Sequence, residues 1–411
     1  MLFKNACIKN DELLKDIRIE DGKFVEINEA LVEKENEEVI DLKGKLVLPP
    51  FIESHVHLDT CLTAGDPKWN MSGTLFEGIE TWALRKEKLS REDIRERVLQ
   101  VVRLYAEYGV QFIRTHVDCT DPSLMAIKTL VELREELKDI VDIQVVAFPQ
   151  EGIYSFPNGK ELLKECVDLG VDVIGAIPHY EFTREYSVES LNYAMKLAYD
   201  NNLLVDVHCD EIDDGASKGL ETVATRALEY GMYDKVTASH TTAMHSYNNA
   251  YVLRLMRLLK LSKINFVSNP LVNIHLGGRT DTYPKRRSVT RVKELTEEGL
   301  NVSFGQDDIR DPWYPMGNGS LRDVNLFGLN VCGMMGYEDI MNSYKFITEN
   351  AAKTLHVSDK YGIEEGKPAS FVVLDADNYY NALNENRAVL YSYKNGKLLS
   401  ETKPRENKLH F

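Results

Sequence analysis

Residues 46–60 read LVLPPFIESHVHLDT. A mostly apolar run ends in His55-Val56-His57. On a strand, side chains at i and i+2 leave the same face, so a strand ending here aims both imidazoles at one point. Two histidines so placed can enter one metal shell. Taken alone, the pair is equally compatible with two buried, hydrogen-bonded histidines, and the surrounding sequence has to decide.

Working outward, the same pattern recurs. Apolar runs ending in polar or charged groups appear as QFIRTHVD (111–118), DIQVVAFPQ (142–150), VDVIGAIPH (171–179), LLVDVHCDE (203–211), KVTASH (235–240), INFVSN (264–269) and LNVSFGQDD (300–308). Helical periodicity fills the intervals, as in REDIRERVLQVVRLYAEYG (91–109) and SLMAIKTLVELREEL (123–137). Eight strands over roughly 260 residues match the ~250 residues of a (β/α)8 barrel. The structural alternative is a doubly wound open sheet, but no G-x-G-x-x-G follows the first strand. The expected class is therefore α/β, with a TIM-type barrel.

Both ends read differently from the middle. IRIEDGKFVEI (17–27) places a D-G turn between alternating apolar residues, and YKNGKLL (393–399) places an N-G turn after SFVVLDAD and AVLYSY. Two β-rich ends predict one small domain built from both termini. The expected division is 1–47 and 356–411 for that domain, with 48–355 as the barrel.

Composition narrows the partners. The 411 residues carry 49 Lys plus Arg against 65 Asp plus Glu, a net charge of −16. So negative a surface repels phosphate backbones and anionic membranes, which leaves a small neutral or cationic substrate. The six cysteines (Cys7, Cys61, Cys119, Cys166, Cys209, Cys332) form no C-x-x-C pair. That argues against a disulfide scaffold and excludes the H-x-E…P-C-x-x-C zinc deaminase pattern. The start, MLFKNACIKNDELL, has no apolar leader core, so a reduced cytoplasmic protein is expected.

Six of the ten histidines (His55, His57, His116, His179, His208, His240) fall at predicted C-terminal strand ends, the face on which barrels place active sites. His55, His57, His208 and Asp307 can converge there. Three imidazoles and a carboxylate suit one Zn(II) or Fe(II), with a coordination position left open for chemistry. No lysine stands on the fourth strand to bridge a second metal. Asp307 and His240 are placed to orient a metal-activated water and accept its proton. Glu211, in the loop after His208, is placed to carry a proton to a ring nitrogen and then to a departing amine, as deamination of an amidine requires. Gln150 suits a lactam edge and equally suits a surface loop. Trp313, with Trp69 and Trp82, reads as core or pocket wall. His116, His179 and His275 read mainly as supporting groups.

At this point longer blocks become informative. HVHLDT with GTLFEGIETWALRK, RTHVDCTD, VVAFPQEGI, AIPHYEFTREY, HCDEIDD, TASHTTAMHSYNNAY, NPLVNIHL with DTYPKRR, and FGQDDIRDPWYP together resemble the bacterial cytosine deaminases of the amidohydrolase superfamily. The resemblance runs from about residue 45 to residue 315. It implies a distorted (β/α)8 barrel with a small β-sandwich from both termini. It also implies one Fe(II) or Zn(II) on His55, His57, His208 and Asp307, and a metal-activated hydroxide positioned by His240, with Glu211 as proton shuttle. Gln150 would bind the lactam-like edge, Asp308 would lie by the leaving amino group, and Trp313 would border the substrate.

The expected reaction is release of ammonia from a free cyclic amidine, with cytosine the leading candidate. Creatinine, isoguanine and isocytosine offer the same amidine unit. A non-catalytic nucleobase-binding barrel and a dihydroorotase-like amide hydrolase are the other readings. Two departures stand out: Gln306 occupies a position where those relatives carry His, and the C-terminus ENKLHF is shorter. The first predicts an intact metal site, because a neighbour on a strand points away from its ligand. The second leaves a homo-oligomer as the expectation, of unstated size.

Overall fold

The structure is a computed structural model and describes all 411 residues. Its central sheet has eight parallel strands in chain order: Phe51–Val56, Val110–Asp118, Asp142–Phe148, Val173–Ala176, Leu204–Cys209, Val236–His240, Asn265–Ser268 and Val302–Phe304. Buried residues dominate these strands, as expected when helices cover the outside and side chains fill the inside. Helices such as Arg91–Glu107, Met125–Glu136 and Arg184–Asp200 bury one apolar stripe each against the sheet.

The barrel closes at its C-terminal rim. The eighth strand is shorter than the sequence pattern predicts, ending at Phe304. Closure runs through a bridge between Val56 and Asp307, in which the Asp307 amide donates to the His55 carbonyl (2.8 Å) and the His57 amide donates to the Asp307 carbonyl (3.0 Å). Asp307 has a φ of 68°, which breaks the strand two residues after Gly305. A Cβ on Gly305 would stand 2.6 Å from Asn269 Oδ1 and 2.9 Å from the His55 carbonyl oxygen, so only glycine lets the chain come this close. The distortion therefore has a local cause, and it lies among the candidate metal ligands.

The termini form a second, mixed sheet: Leu2–Ile8, Lys15–Glu20, Lys23–Asn28, Val39–Asp41, Leu46–Leu48, Phe371–Leu374, Val389–Lys394 and Lys397–Glu401. Both predicted hairpins are present, with left-handed φ values at Asp21-Gly22 (49° and 75°) and Asn395-Gly396 (50° and 74°). Seven of the strands pair along one path, Val39–Asp41 branches from it by pairing with Leu2–Ile8, and Leu2–Ile8 is shared between the two parts of the sheet. Phe3, Phe24, Phe371 and Tyr393 belong to a 12-residue core on one face of this sheet, while Leu46, Leu48, Val372 and Leu374 of the same sheet join the 75-residue core that they share with the barrel. No helix is long and apolar enough to cross a membrane.

Candidate active site and metal centre

Four buried donors meet over the barrel mouth. His208 Nε2 lies 3.0 Å from His57 Nε2 and 3.2 Å from His55 Nε2, and Asp307 Oδ1 lies 3.4 and 3.3 Å from the same two histidines. His55 is the penultimate residue of the first strand and His57 follows its last residue, Val56, so their i, i+2 spacing brings both rings to one point. Burial, with the neighbouring histidines adding to it, holds His55 and His208 well below the ordinary imidazole range. The neutral nitrogens of His55 and His208 face one another at 3.2 Å; burial acts on His57 beside them too, but the Asp307 carboxylate outweighs it and raises the His57 pKa. A divalent cation fits that donor set, and its chemistry suits Zn(II) or Fe(II).

A second group adjoins the first through Asp307. His240 ends the sixth strand with φ 66°, and its Nδ1 lies 3.0 Å from Glu211 Oε1 and 3.8 Å from Asp307 Oδ2. Burial lowers the affinity of His240 for a proton, but the carboxylates of Glu211 and Asp307 outweigh it and raise its pKa to about 9. Glu211 is aimed by its own backbone. Asp210, at φ 52°, turns the chain, and its carboxylate accepts from the amides of Gly219 and Leu220, capping the helix Gly219–Glu229. The Glu211 amide donates to His179 Nδ1 (3.3 Å), which burial keeps neutral with a pKa lowered to about 3.

Between these groups lies a small pocket lined by His57, Leu75, Gln150, Ile177, His208, Glu211, Leu276, Asp307, Asp308 and Trp313. Every residue named from the sequence as a catalytic, substrate or metal candidate lines it, except His55 and His240, which lie buried behind its wall. Gln150 reaches it from a turn, because the third strand ends at Phe148 rather than at Gln150. Asp307 and Asp308 both face it, since the left-handed φ at Asp307 cancels strand alternation. Gln306 does not line it: its amide donates to Glu53, and its Nε2 donates to the Asp308 carbonyl (3.2 Å). Trp82 is core, its Nε1 donating to Asp118, and Trp69 is half exposed. His275 is half-buried, with Nδ1 on the Arg279 guanidinium.

Several supporting residues escaped the sequence reading. Asn273 places its amide nitrogen 2.9 Å from His240 Nδ1 and 3.3 Å from Glu211 Oε1. Glu53 accepts from the amides of His55 and Gln306 and from the Tyr105 hydroxyl, and burial pushes its pKa up to about 8. Asp311 accepts from Thr60 Oγ1 and the amides of Trp313 and Tyr314. Burial, then the carboxylates of Asp311 and Asp307, push the Asp308 carboxyl well above its usual range. Only Glu53, a carboxylate inside an apolar strand, could have been flagged from sequence. The others sit in polar segments with no distinctive pattern.

The sequence profile of the amidohydrolase family matches residues 38–399. The chain belongs to the amidohydrolase family. Among solved structures, this amidohydrolase is similar to 5-methylcytosine deaminase from Klebsiella pneumoniae liganded with 5-fluorocytosine, at 48% identity and a TM-score of 0.97, covering 100% of this chain and 99% of that one. The same deaminase has also been solved with phosphonocytosine. Among characterised relatives, N-isopropylammelide isopropyl amidohydrolase of Pseudomonas sp. (strain ADP) is 30% identical over 405 residues, covering 97% of this chain and 96% of the relative. Pterin deaminase of Rhizobium rhizogenes (strain K84 / ATCC BAA-868) is 25% identical, covering 98% and 89%. With the buried donor set, these likenesses make the amidohydrolase a metal-dependent hydrolase acting on C–N bonds.

Proposed function

We propose that this amidohydrolase releases ammonia from a free cytosine-type ring, cytosine or 5-methylcytosine. The observation that carries the reading is the placement of Glu211 in the wall of a small pocket, with His240 behind it and Gln150 and Asp308 in the same lining. The 48% identity to a 5-methylcytosine deaminase supports the ring class.

His55, His57, His208 and Asp307 would hold one divalent ion, Fe(II) or Zn(II), which would supply Lewis acidity and make a water acidic near neutral pH. The protein's own groups do the rest. The Gln150 amide donates to the ring carbonyl and accepts from the adjacent N–H. His240, kept protonated by Glu211 and Asp307, donates to the attacking oxygen and fixes its line of approach. Asp307 orients the water by accepting a hydrogen bond from it on the oxygen facing His240. Glu211, the carboxylate beside His240, takes one proton of the attacking water and passes it to the ring nitrogen beside the amino-bearing carbon, which makes that carbon electrophilic. It then takes the proton of the added hydroxyl and delivers it to the amine as the C–N bond breaks. Asp308 borders the amino group, and Trp313 with Leu75, Ile177 and Leu276 forms the apolar wall against the ring.

Amine release by metal-reconstituted enzyme tests this, with cytosine, 5-methylcytosine, creatinine, isoguanine, isocytosine, a pterin and N-isopropylammelide run in parallel. Turnover of the two cytosines well above the others is the expected result. Preference for another ring would move the specificity and keep the proton chemistry.

A further inference from the structure

His55 differs from the other two histidines of the donor set in what holds its remote nitrogen. Its Nδ1 lies 2.9 Å from Ser239 Oγ, on the sixth strand. Ser239 Oγ lies 2.6 Å from Asp206 Oδ1, on the fifth strand, and Asp206 Oδ2 accepts from Arg114 Nη1 at 2.9 Å. All four residues are buried, and they come from the first, second, fifth and sixth strands. By contrast, His208 Nδ1 has no partner.

Counting protons along this row gives one solution. Arg114 is always protonated, and its guanidinium is fully engaged: Gln144 Oε1 accepts from Nε and Nη2, Thr237 Oγ1 accepts from Nη1, and the Thr354 carbonyl accepts from Nη2. Asp206 beside it is a carboxylate and can only accept. Ser239 has a single hydroxyl proton, and the 2.6 Å contact places it on Asp206. Ser239 Oγ must then accept from His55, so His55 carries its proton on Nδ1 and its lone pair on Nε2. That Nε2 is the atom 3.2 Å from His208 Nε2 and 3.3 Å from Asp307 Oδ1. His116 stacks on the ring at 3.8 Å between centroids and hinders its rotation.

We propose that Ser239, anchored by the buried Asp206–Arg114 pair, is a positioning residue that fixes the tautomer of His55 and so prepares the metal site before any ion arrives. The inference rests on the proposed donor set and is independent of the substrate. A partner on the remote ring nitrogen orients a ligand histidine and raises its basicity, and removing one typically weakens metal binding 10–100-fold.

The test uses full-length metal-free protein labelled with 15N in its histidine rings, with the His55 signals assigned by their loss in His55→Gln. Wild type should show His55 as the Nδ1–H form alone. Ser239→Ala should show a mixture of tautomers, and Zn(II) affinity from chelator competition should fall on the order of 10–100-fold. Ser239→Thr, which keeps the hydroxyl, should recover most of that affinity. Melting of the metal-free variants separates this effect from misfolding. If Ser239→Ala does not fold, Ser239→Cys keeps the volume with a weak acceptor and should show the same shift. An unchanged tautomer with unchanged Zn(II) affinity would overturn the proposal. Wild-type protein that takes up no Zn(II) would instead sink the donor set, while the ring signals still report on Ser239.

Discussion

Glu211 Oε1 lies 3.0 Å from His240 Nδ1, and the two side chains share Asn273 as a neighbour. This contact joins the residue that would carry protons to the residue that would hold the attacking oxygen. It forms because two backbones turn sharply after adjacent parallel strands, at Asp210 (φ 52°) and at His240 itself (φ 66°). Such conformations cost of order 1–3 kcal/mol each and persist where the surroundings enforce them.

Glu211→Gln keeps the size of the side chain and removes its proton traffic. Metal content should stay at the wild-type level, while kcat falls by about 10²–10⁴-fold. Metal analysis together with steady-state rates checks both. Near-normal turnover would remove Glu211 from the proton path.

Stripping the metal with a chelator should abolish turnover and lower the melting temperature together, because the donor set straddles the seam that closes the barrel at Val56 and Asp307. Binding linkage at an ion concentration of about 100 Kd is worth about 2.7 kcal/mol. Restoring Zn(II) or Fe(II) should return both properties. Loss of activity with no thermal shift would mean that the ion sits away from the seam.

Gly305→Ala introduces a Cβ 2.6 Å from Asn269 Oδ1 and 2.9 Å from the His55 carbonyl. Overpacking of this kind costs about 1–3 kcal/mol. Denaturant unfolding should register that loss, and metal affinity should weaken with it, since the same seam carries His55 and Asp307.

Gly78→Ala addresses the apolar wall of the pocket. A Cβ there would overlap Trp313 Cδ1, and Trp313 lines the pocket together with Leu75, which shares the helix Leu75–Lys86 with Gly78. Displacing the indole should lower kcat/KM, with a loss on the order of 10²-fold for a shift of about 1 Å, and leave Zn(II) affinity intact. Equal losses in both would point to a wider collapse.

Gln306→His tests the departure noted in the sequence. The Gln306 side chain does not line the pocket and donates to the Asp308 carbonyl, while its backbone amide donates to Glu53. Metal content should not change, and kcat should stay within an order of magnitude of wild type. A large gain or loss in metal would show that this position communicates with the ligands.

The barrel was legible because burial on both faces writes each parallel strand as an apolar run, and the polar ends of those runs fall on one face. The D-G and N-G hairpins were legible because type I′ turns demand those residues. The end of the eighth strand was not, since the break depends on Gly305 approaching His55 from far along the chain. The donor set could be named because His-x-His and the histidines at strand ends are rare and periodic. Ser239, Asp206, Asn273 and Asp311 could not, because serine, aspartate and asparagine are common and their partners lie on other strands.

The most direct test of the central claim is the conversion of cytosine and 5-methylcytosine by Zn(II)- or Fe(II)-loaded enzyme, followed by ultraviolet absorbance and by ammonia release in the same reaction. The account predicts one ammonia per ring converted to the corresponding oxo product, abolished in Glu211→Gln at full metal content. Metal-loaded wild-type protein that leaves both rings untouched would contradict it.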